Sequence, residues 1–328
     1  MKKDIFWAPS YNWKKKEEKL LINGISFALE VAELFPKLYE LCINGTTYEK
    51  LQEKLTEIDP VFLKRVLKDL KDIGALVSEI QSPADIFQGQ SAIFLQGEKP
   101  DELFFMNKEN VEKYRFEKSF RKTEHSKDGI IELKKTELNP GYKTRKSIRE
   151  FDMSEIDMDT FSRCLEILCP LNEKDDEKQV PAQYVYPSAG GLYPLDFYLL
   201  VKAGRVENVP QGLYRFDPVE RKLYAVNNKI PLERGFQFTV NKETFVASAF
   251  SVYIFFDAAV SMPKYQDMAY YYSILDTGFA AAYFEMQTYS LGLGTCSIGD
   301  MRFSKISEYF ELEPYQKYLH TIEVGKLK

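Results

Sequence analysis

The sequence predicts a chain of two unlike parts. A small winged-helix-like helical module over 1–85 precedes a larger domain of mixed helices and strands over 139–328, with a partly ordered connector over 86–138 between them. Three observations predict this. The chain has 328 residues, about twice the usual ~150 residues per domain. Its front reads helix, short helix, helix, glycine, strand. Its second half interleaves aromatic-rich runs of strand length with long helical stretches.

In the front module, residues 24–42 carry Ile25, Leu29, Ala32, Phe35, Leu38, Tyr39 and Cys42. Their spacing of three and four predicts an amphipathic helix. Pro36 within it marks a kink, or a boundary between two shorter helices. Asn44-Gly45 stops it, and Thr46 is placed to cap a short helix through Leu51 and Leu55. Asp59-Pro60 opens a third helix with proline in its first turn; Val61, Phe62, Val66, Leu67, Leu70 and Ile73 form its apolar face. Gly74 ends that helix, and residues 75–80 predict a strand. A winged helix suggests DNA binding, but the charges do not. From 46 to 80, six cations interleave with seven acids, so no basic face meets phosphates. Peptide docking, a dimer contact or a structural cap remain as roles.

The connector holds Phe104, Phe105, Tyr114, Phe116 and Phe120, too many aromatics for a disordered linker. The stretch from His125 to Lys135 is polar, with a short strand expected at Ile130-Ile131.

The second domain opens on Thr144-Arg145-Lys146-Ser147-Ile148-Arg149, in which Arg145, Ser147 and Arg149 can project the same way. Guanidinium forks suit phosphate and the anionic face of a reduced flavin. Asp157 then caps a helix carrying Phe161, Cys164, Leu165 and Leu168. Pro187-Ser188-Ala189-Gly190-Gly191-Leu192-Tyr193-Pro194 comes next: two prolines bracket small residues, and the glycines permit positive φ and close approach of a ligand to the backbone. It feeds the core strand 195–201. A hairpin follows over 212–217 and 222–226, turning at Asp217-Pro218, and then another core strand over 250–257. Pro263-Lys264-Tyr265 leads into a long helix whose apolar side is Met268, Tyr271, Tyr272, Leu275, Phe279, Ala282, Tyr283 and Met286. Gly292 stops it, and 292–299 reads as a second open loop. A last strand spans 319–324.

Composition excludes several functions. The net charge of −5 opposes broad nucleic-acid binding. The four cysteines are scattered without a CxxC pair, which fits a reducing cytosol and gives neither zinc site nor disulfide framework. His125 and His320 lie far apart, so no metal site and no Ser-His-Asp triad are expected. Asp4, Ser10 and Asn12 interrupt any signal-peptide core. No apolar run approaches the ~20 residues of a membrane span. A cytoplasmic protein is the expectation. There is no dinucleotide GxGxxG and no P-loop, so any chemistry must come largely from an organic cofactor.

Taken together, Arg145–Phe151, Pro187–Pro194, Lys264-Tyr265, and Leu291–Gly294 with Ile298-Gly299 resemble the nitroreductase superfamily of flavin enzymes. The closest likeness is to its SagB/ThcOx-type oxidases of ribosomally made peptides. The motifs occur in the family's order and cover 139–328. The resemblance implies an α+β fold, a mostly antiparallel sheet flanked by helices, and a homodimer with FMN at the subunit interface. It implies that Arg145, Ser147 and Arg149 hold the flavin's phosphate, ribityl and pyrimidine side. It places Pro187, Ser188, Ala189 and Gly190 against the ring from the other subunit, Ile298 and Gly299 near the ring face, and Lys326 toward the phosphate.

Lys264 and Tyr265 are then the catalytic pair. In azoline oxidases a thiazoline or oxazoline loses a proton and a hydride to become an azole. A tyrosine beside a lysine takes the proton, because the ammonium stabilises phenolate. The chain departs from this branch where an Arg, a His and an Asn are replaced by Tyr271, Phe279 and Tyr283; the acid of that motif is Asp276. This leaves open an alternative, an NAD(P)H-using FMN reductase of dehydroalanine or dehydrobutyrine in a lanthipeptide. A flavin-free scaffold that only docks a precursor peptide is a third reading, opposed by the intact flavin-side motifs. The implied partners are a precursor peptide, a second copy of the chain and other peptide-modifying enzymes.

Overall fold

The computed structural model describes residues 3–16, 19–87, 104–119, 131–137, 145–173, 175, 177–227, 234–299 and 301–328. The front of the chain carries strands that the helical periodicity does not announce: β1 (Phe6–Trp7), β2 (Trp13–Lys16), β3 (Lys19–Ile22) and β4 (Ile25–Phe27). Then come α1 (Leu29–Ile43), α2 (Tyr48–Lys54), α3 (Pro60–Asp72) and β5 (Leu76–Val77). The helix expected from residue 24 therefore starts at Leu29. Asn23 and Gly24 both take positive φ, 44° and 86°, and form the tight turn that pairs β3 with β4. Ile25 faces out of that hairpin and is exposed.

Pro36 lies within α1, which runs on through it. Thr47, not Thr46, caps α2 by accepting from the Lys50 amide. Asp59 caps α3, accepting from Val61 and Phe62 at 3.0 and 2.9 Å. Only Leu76 and Val77 of the expected strand 75–80 are extended, and they pair with β1. A core of Trp7, Trp13, Phe35 and Tyr39, mostly edge to face, holds these elements together.

In the connector, Phe104–Met106 forms a helical turn before a helix over Lys108–Ser119. Residues 131–137 form no strand and are exposed. Phe120, His125, Ile130 and Thr144 lie outside the described residues.

Beyond it lie β6 (Phe151–Asp152), β7 (Leu195–Val201), β8 (Gly212–Asp217), β9 (Lys222–Asn227), β10 (Phe250–Asp257), β11 (Leu293–Ile298) and β12 (Gln316–Leu327). They form one antiparallel sheet in the order β11-β12-β10-β7-β8-β9, with β6 paired to the end of β12. The alternation along β10 explains its two covered faces. Phe250, Val252 and Ile254 enter one core with the helix Met158–Glu166 and with Phe284. Tyr253 and Phe255 enter a second core with Phe245, Ile298 and Phe310 on the opposite face. Asp157 caps the first helix at 2.8 Å from the Thr160 amide. Asp217 closes the hairpin by accepting from Val219 and Glu220, both at 2.9 Å. The result is the mixed α+β architecture with a large antiparallel sheet that the sequence leads one to expect.

The second face also buries an ion pair. Lys202 Nζ lies 3.6 Å from Glu323 Oε2. The Ser248 and Ser251 hydroxyls donate to the same oxygen at 2.5 and 2.7 Å. His320 sits in β12, half-buried, and burial pulls its imidazole below the ordinary value.

Two expectations about the following helices are corrected. The helical stretch after Pro263 is two helices, Ala258–Tyr265 and Met268–Ser290, broken at Gln266 with φ 52°. The second, the long helix, turns its polar face inward: Ser273, Asp276, Thr277 and Thr288 are buried with Ala280, Ala281 and Phe284. The stripe read as its packing side points outward, with Met268, Tyr271, Leu275, Phe279, Tyr283 and Met286 exposed. Small residues explain the inversion, since only alanine and short hydroxyl side chains let the helix lie close to the sheet. The expected loop at 292–299 is mostly strand: Gly294 sits in β11 because a Cβ there would meet Ile148 at 2.8 Å.

The front module rests on this domain. The Tyr270 hydroxyl donates to the Gln81 carbonyl at 3.1 Å, Lys317 pairs with Glu79 at 2.8 Å, and Ile80 and Ile86 pack against the cluster of Phe256, Ala269 and Tyr270. Among the described residues no helix is long and apolar enough to cross a membrane.

Candidate active site

Two clusters form around the long helix. The first is built on the small-residue stretch before β7. Ala189–Gly191 makes a single helical turn, and Gly190, Gly191 and Tyr193 all have left-handed φ, 63°, 65° and 49°. At Gly190 glycine is required twice over, by its φ and by space. A Cβ there would stand 2.2 Å from the Tyr265 hydroxyl and 2.9 Å from Lys264 Nζ. At Gly191 nothing lies within 4 Å of the same position. The platform thus meets Lys264 and Tyr265 of its own chain.

That pair ends the helix Ala258–Tyr265 rather than starting a helix. Lys264 Nζ lies 5.0 Å from the centre of the Tyr265 ring. The other side of that ring system meets Tyr272 edge to face at 5.3 Å. Beneath the platform, Ser188 Oγ donates to Asp276 Oδ2 at 2.6 Å and accepts from the Tyr193 amide at 3.0 Å. Asp276 is 3% exposed. Burial pushes its carboxyl up, while the bonds from Ser188 and from the Ala189 amide pull it down. Pro187 is exposed at the start of the platform.

The second cluster lies along β11. The Ile148 amide donates to the Thr295 carbonyl at 2.7 Å, which lays residues 145–149 beside that strand. Arg145, Ser147 and Arg149 are exposed there. Arg145 approaches Glu285 of the long helix at 3.9 Å, and Ser297 donates to Glu285 at 2.6 Å. Burial pushes the Cys296 thiol up, with Arg149 opposing. Ile298 is buried in the second core, whereas Gly299 is exposed and has nothing within 4 Å of a Cβ position. Lys326, opposite Leu293 in register, is half-buried near Asp152.

Glu285 follows Asp276 by nine residues, roughly 14 Å along a helix axis. One chain therefore brings the platform to Lys264-Tyr265, and the cationic strip to β11, but not the two clusters to each other. Sequence reasoning missed the work of Tyr272 and Asp276. Their spacing of four puts both on one helix face, and that was the available signal.

A model of the nitroreductase family matches residues 142–326. The chain belongs to the nitroreductase family. It is accordingly an oxidoreductase, and residues 145–328 carry the nitroreductase-like part of the fold. A relative from Methanocaldococcus jannaschii named as a nitroreductase, MJ1384, is 27% identical over 174 residues, covering 52% of this chain and 82% of its own length. Among solved structures, the E. coli microcin synthetase McbBCD complex with truncated pro-MccB17 bound shows the same fold. The match is 18% identical, covers 85% of this chain and 97% of that one, and has a TM-score of 0.50. A nitroreductase-named protein of Ralstonia eutropha JMP134 matches 61% of this chain and 88% of its own, with 20% identity and a TM-score of 0.47.

A groove of about 1190 Å³ runs between residues 77–85 and 299–319, reaching from Ile80 and Leu319 to Gly299. It exceeds the ~300–1,000 Å³ of small-molecule pockets.

Proposed function

We propose that this nitroreductase-family chain is an FMN-dependent enzyme of the SagB/ThcOx-type branch that oxidises thiazoline or oxazoline rings of a ribosomally made peptide to azoles. The meeting of Lys264 and Tyr265 over Gly190 carries this reading. It sets an ammonium and a phenol against a backbone surface free of side chains, which is what proton removal from a flat ring requires.

The residues present fit FMN. Gly191 and Gly299 leave open backbone for a planar ring, and the exposed Arg145, Ser147 and Arg149 offer donors for an anionic group, Arg145 sharing its charge with Glu285 at 3.9 Å. When bound, FMN supplies a two-electron acceptor. The chain's own part is to hold the ring's edge and move the proton. Tyr265 acts as phenolate, stabilised by the Lys264 ammonium beside it; its oxygen takes the proton and is left as neutral phenol. The large groove that ends at Gly299 leaves room for a polypeptide, and the front module is a docking surface for it.

The two clusters and the outward apolar stripe are explained together if the site is shared by two copies of the chain, packed through their long helices. Phe279→Glu is expected to convert a dimer to monomer in light scattering and to weaken FMN binding with it. A wild-type chain that is monomeric while holding FMN would rule out the shared site.

Tyr271, Phe279 and Tyr283, which prompted the reductase alternative, lie on the outward face, 39–49% exposed. Mass spectrometry separates the two. With FMN and oxygen, a thiazoline peptide should lose two hydrogens. The reductase reading instead requires a dehydroalanine peptide to gain two hydrogens with NAD(P)H. Protein that is colourless and takes up no FMN sinks both.

A further inference from the structure

We propose that Asp276 is a positioning residue. Through Ser188 it sets the distance between the Gly190 platform and Lys264–Tyr265. This rests on the platform being the flavin-side surface proposed above.

The platform holds itself only by the bond from the Gly191 amide to the Ser188 carbonyl at 3.0 Å. Gly190 and Gly191 have no side chains to pack, and three of its residues sit at positive φ, so a single conformation must be imposed from outside. The restraint visible in the structure is polar. Ser188 Oγ donates to Asp276 Oδ2 and accepts from the Tyr193 amide. These bonds tie both ends of the turn to one acid on a rigid helix.

The opposite wall of the gap is set from the same helix. Tyr272, one turn before Asp276, packs edge-on against Tyr265. Residues four apart share a helix face, so one turn fixes both the platform and the catalytic pair. The arrangement is costly in isolation. Asp276 is buried, and no cation lies within ion-pair distance of it among the described residues. Burying such a carboxylate is unfavourable unless it is well hydrogen-bonded. Its value is an acceptor-only group for the Ser188 hydroxyl, where an amide brings two donors that the buried site would also have to satisfy.

The test uses the full chain, with FMN as probe. Wild type, Ser188→Ala, Asp276→Ala, Asp276→Asn and the double Ser188→Ala/Asp276→Ala are titrated by flavin fluorescence, and the visible absorption of the bound flavin is recorded. Hydrogen exchange of residues 187–194 is measured without FMN. Asp276→Ala is expected to weaken FMN binding about tenfold and to shift the bound-flavin band. It should also speed exchange of the platform amides, while melting changes little. Asp276→Asn should recover part of each. The double variant should be no worse than Asp276→Ala, because the two side chains act as one unit.

Unchanged platform exchange in Asp276→Ala, or losses that multiply in the double variant, overturn the proposal. If Asp276→Ala does not fold, wild-type behaviour of both Ser188→Ala and Asp276→Asn overturns it. Failure of the wild type to bind FMN removes the functional reading alone, since the exchange measurement decides the positioning role without it.

Discussion

Tyr265→Phe is expected to keep FMN bound and to lower turnover of an azoline peptide by roughly a hundred- to ten-thousandfold, the usual worth of a general base. The ring of Tyr265 packs edge-on against Tyr272, and phenylalanine preserves that contact. Only the hydroxyl is lost, and it is the atom nearest to where a Cβ of Gly190 would stand. The loss should therefore fall on kcat more than on KM. Lys264→Ala should behave alike, because it removes the ammonium that lies 5.0 Å from the ring centre. Lys264 is exposed, so its truncation opens no cavity in the core, and a melting curve checks this. Full turnover in both variants would remove the pair from the mechanism.

Lys202→Met should destabilise the chain by about 3–5 kcal/mol, because it strands a buried carboxylate. Lys202 and Glu323 are both buried on the second face of the sheet. Burial pulls the Lys202 ammonium down to about 8 and pushes the Glu323 carboxyl up, with their mutual attraction opposing both. The Ser248 and Ser251 hydroxyls both donate to Oε2 of that carboxylate, while its buried Oε1 has no hydrogen-bond partner. The double variant Lys202→Met/Glu323→Gln should regain most of the loss. It removes both charges while the glutamine oxygen still accepts from the two hydroxyls. Urea unfolding midpoints of the two single variants and the double measure this. A Lys202→Met chain as stable as wild type would show that the pair is not held charged.

Much of the fold was legible because its signals are local. Asp59-Pro60, Asp157 and Asp217 each announce a cap or turn, and each accepts from the amides expected of it. The aromatic runs 195–201 and 250–257 are central strands because both of their faces need cover. The front strands were missed although Asn23-Gly24 is a strong hairpin pair, because apolar residues from Ile25 onward also fit a helical period. The strand at 293–298 was masked by its glycines. Of these, Gly294 is small to admit Ile148 rather than to open a loop.

The site was legible in part, for a different reason. Gly190 can be recognised from its neighbours in sequence and its positive φ favours glycine locally, but its close approach to Tyr265, distant in sequence, cannot be read there. Ser188, expected at the cofactor, also donates its hydroxyl to Asp276, a partner distant in sequence. Such pairings are set by tertiary packing, which no single stretch encodes.

The long helix has one more consequence, for anyone who wishes to engineer the chain. Ordinary practice makes outward apolar side chains polar to gain solubility and fills inward polar positions with apolar ones to gain stability. Here both steps work against the protein. Polar replacements at Leu275, Phe279 or Tyr283 would erase the surface that we propose joins two copies, and a leucine at Ser273 or Thr277 would overfill a seam that admits only small groups. The helix is the part of the chain where solubility as a single molecule and competence as an assembly ask for opposite residues.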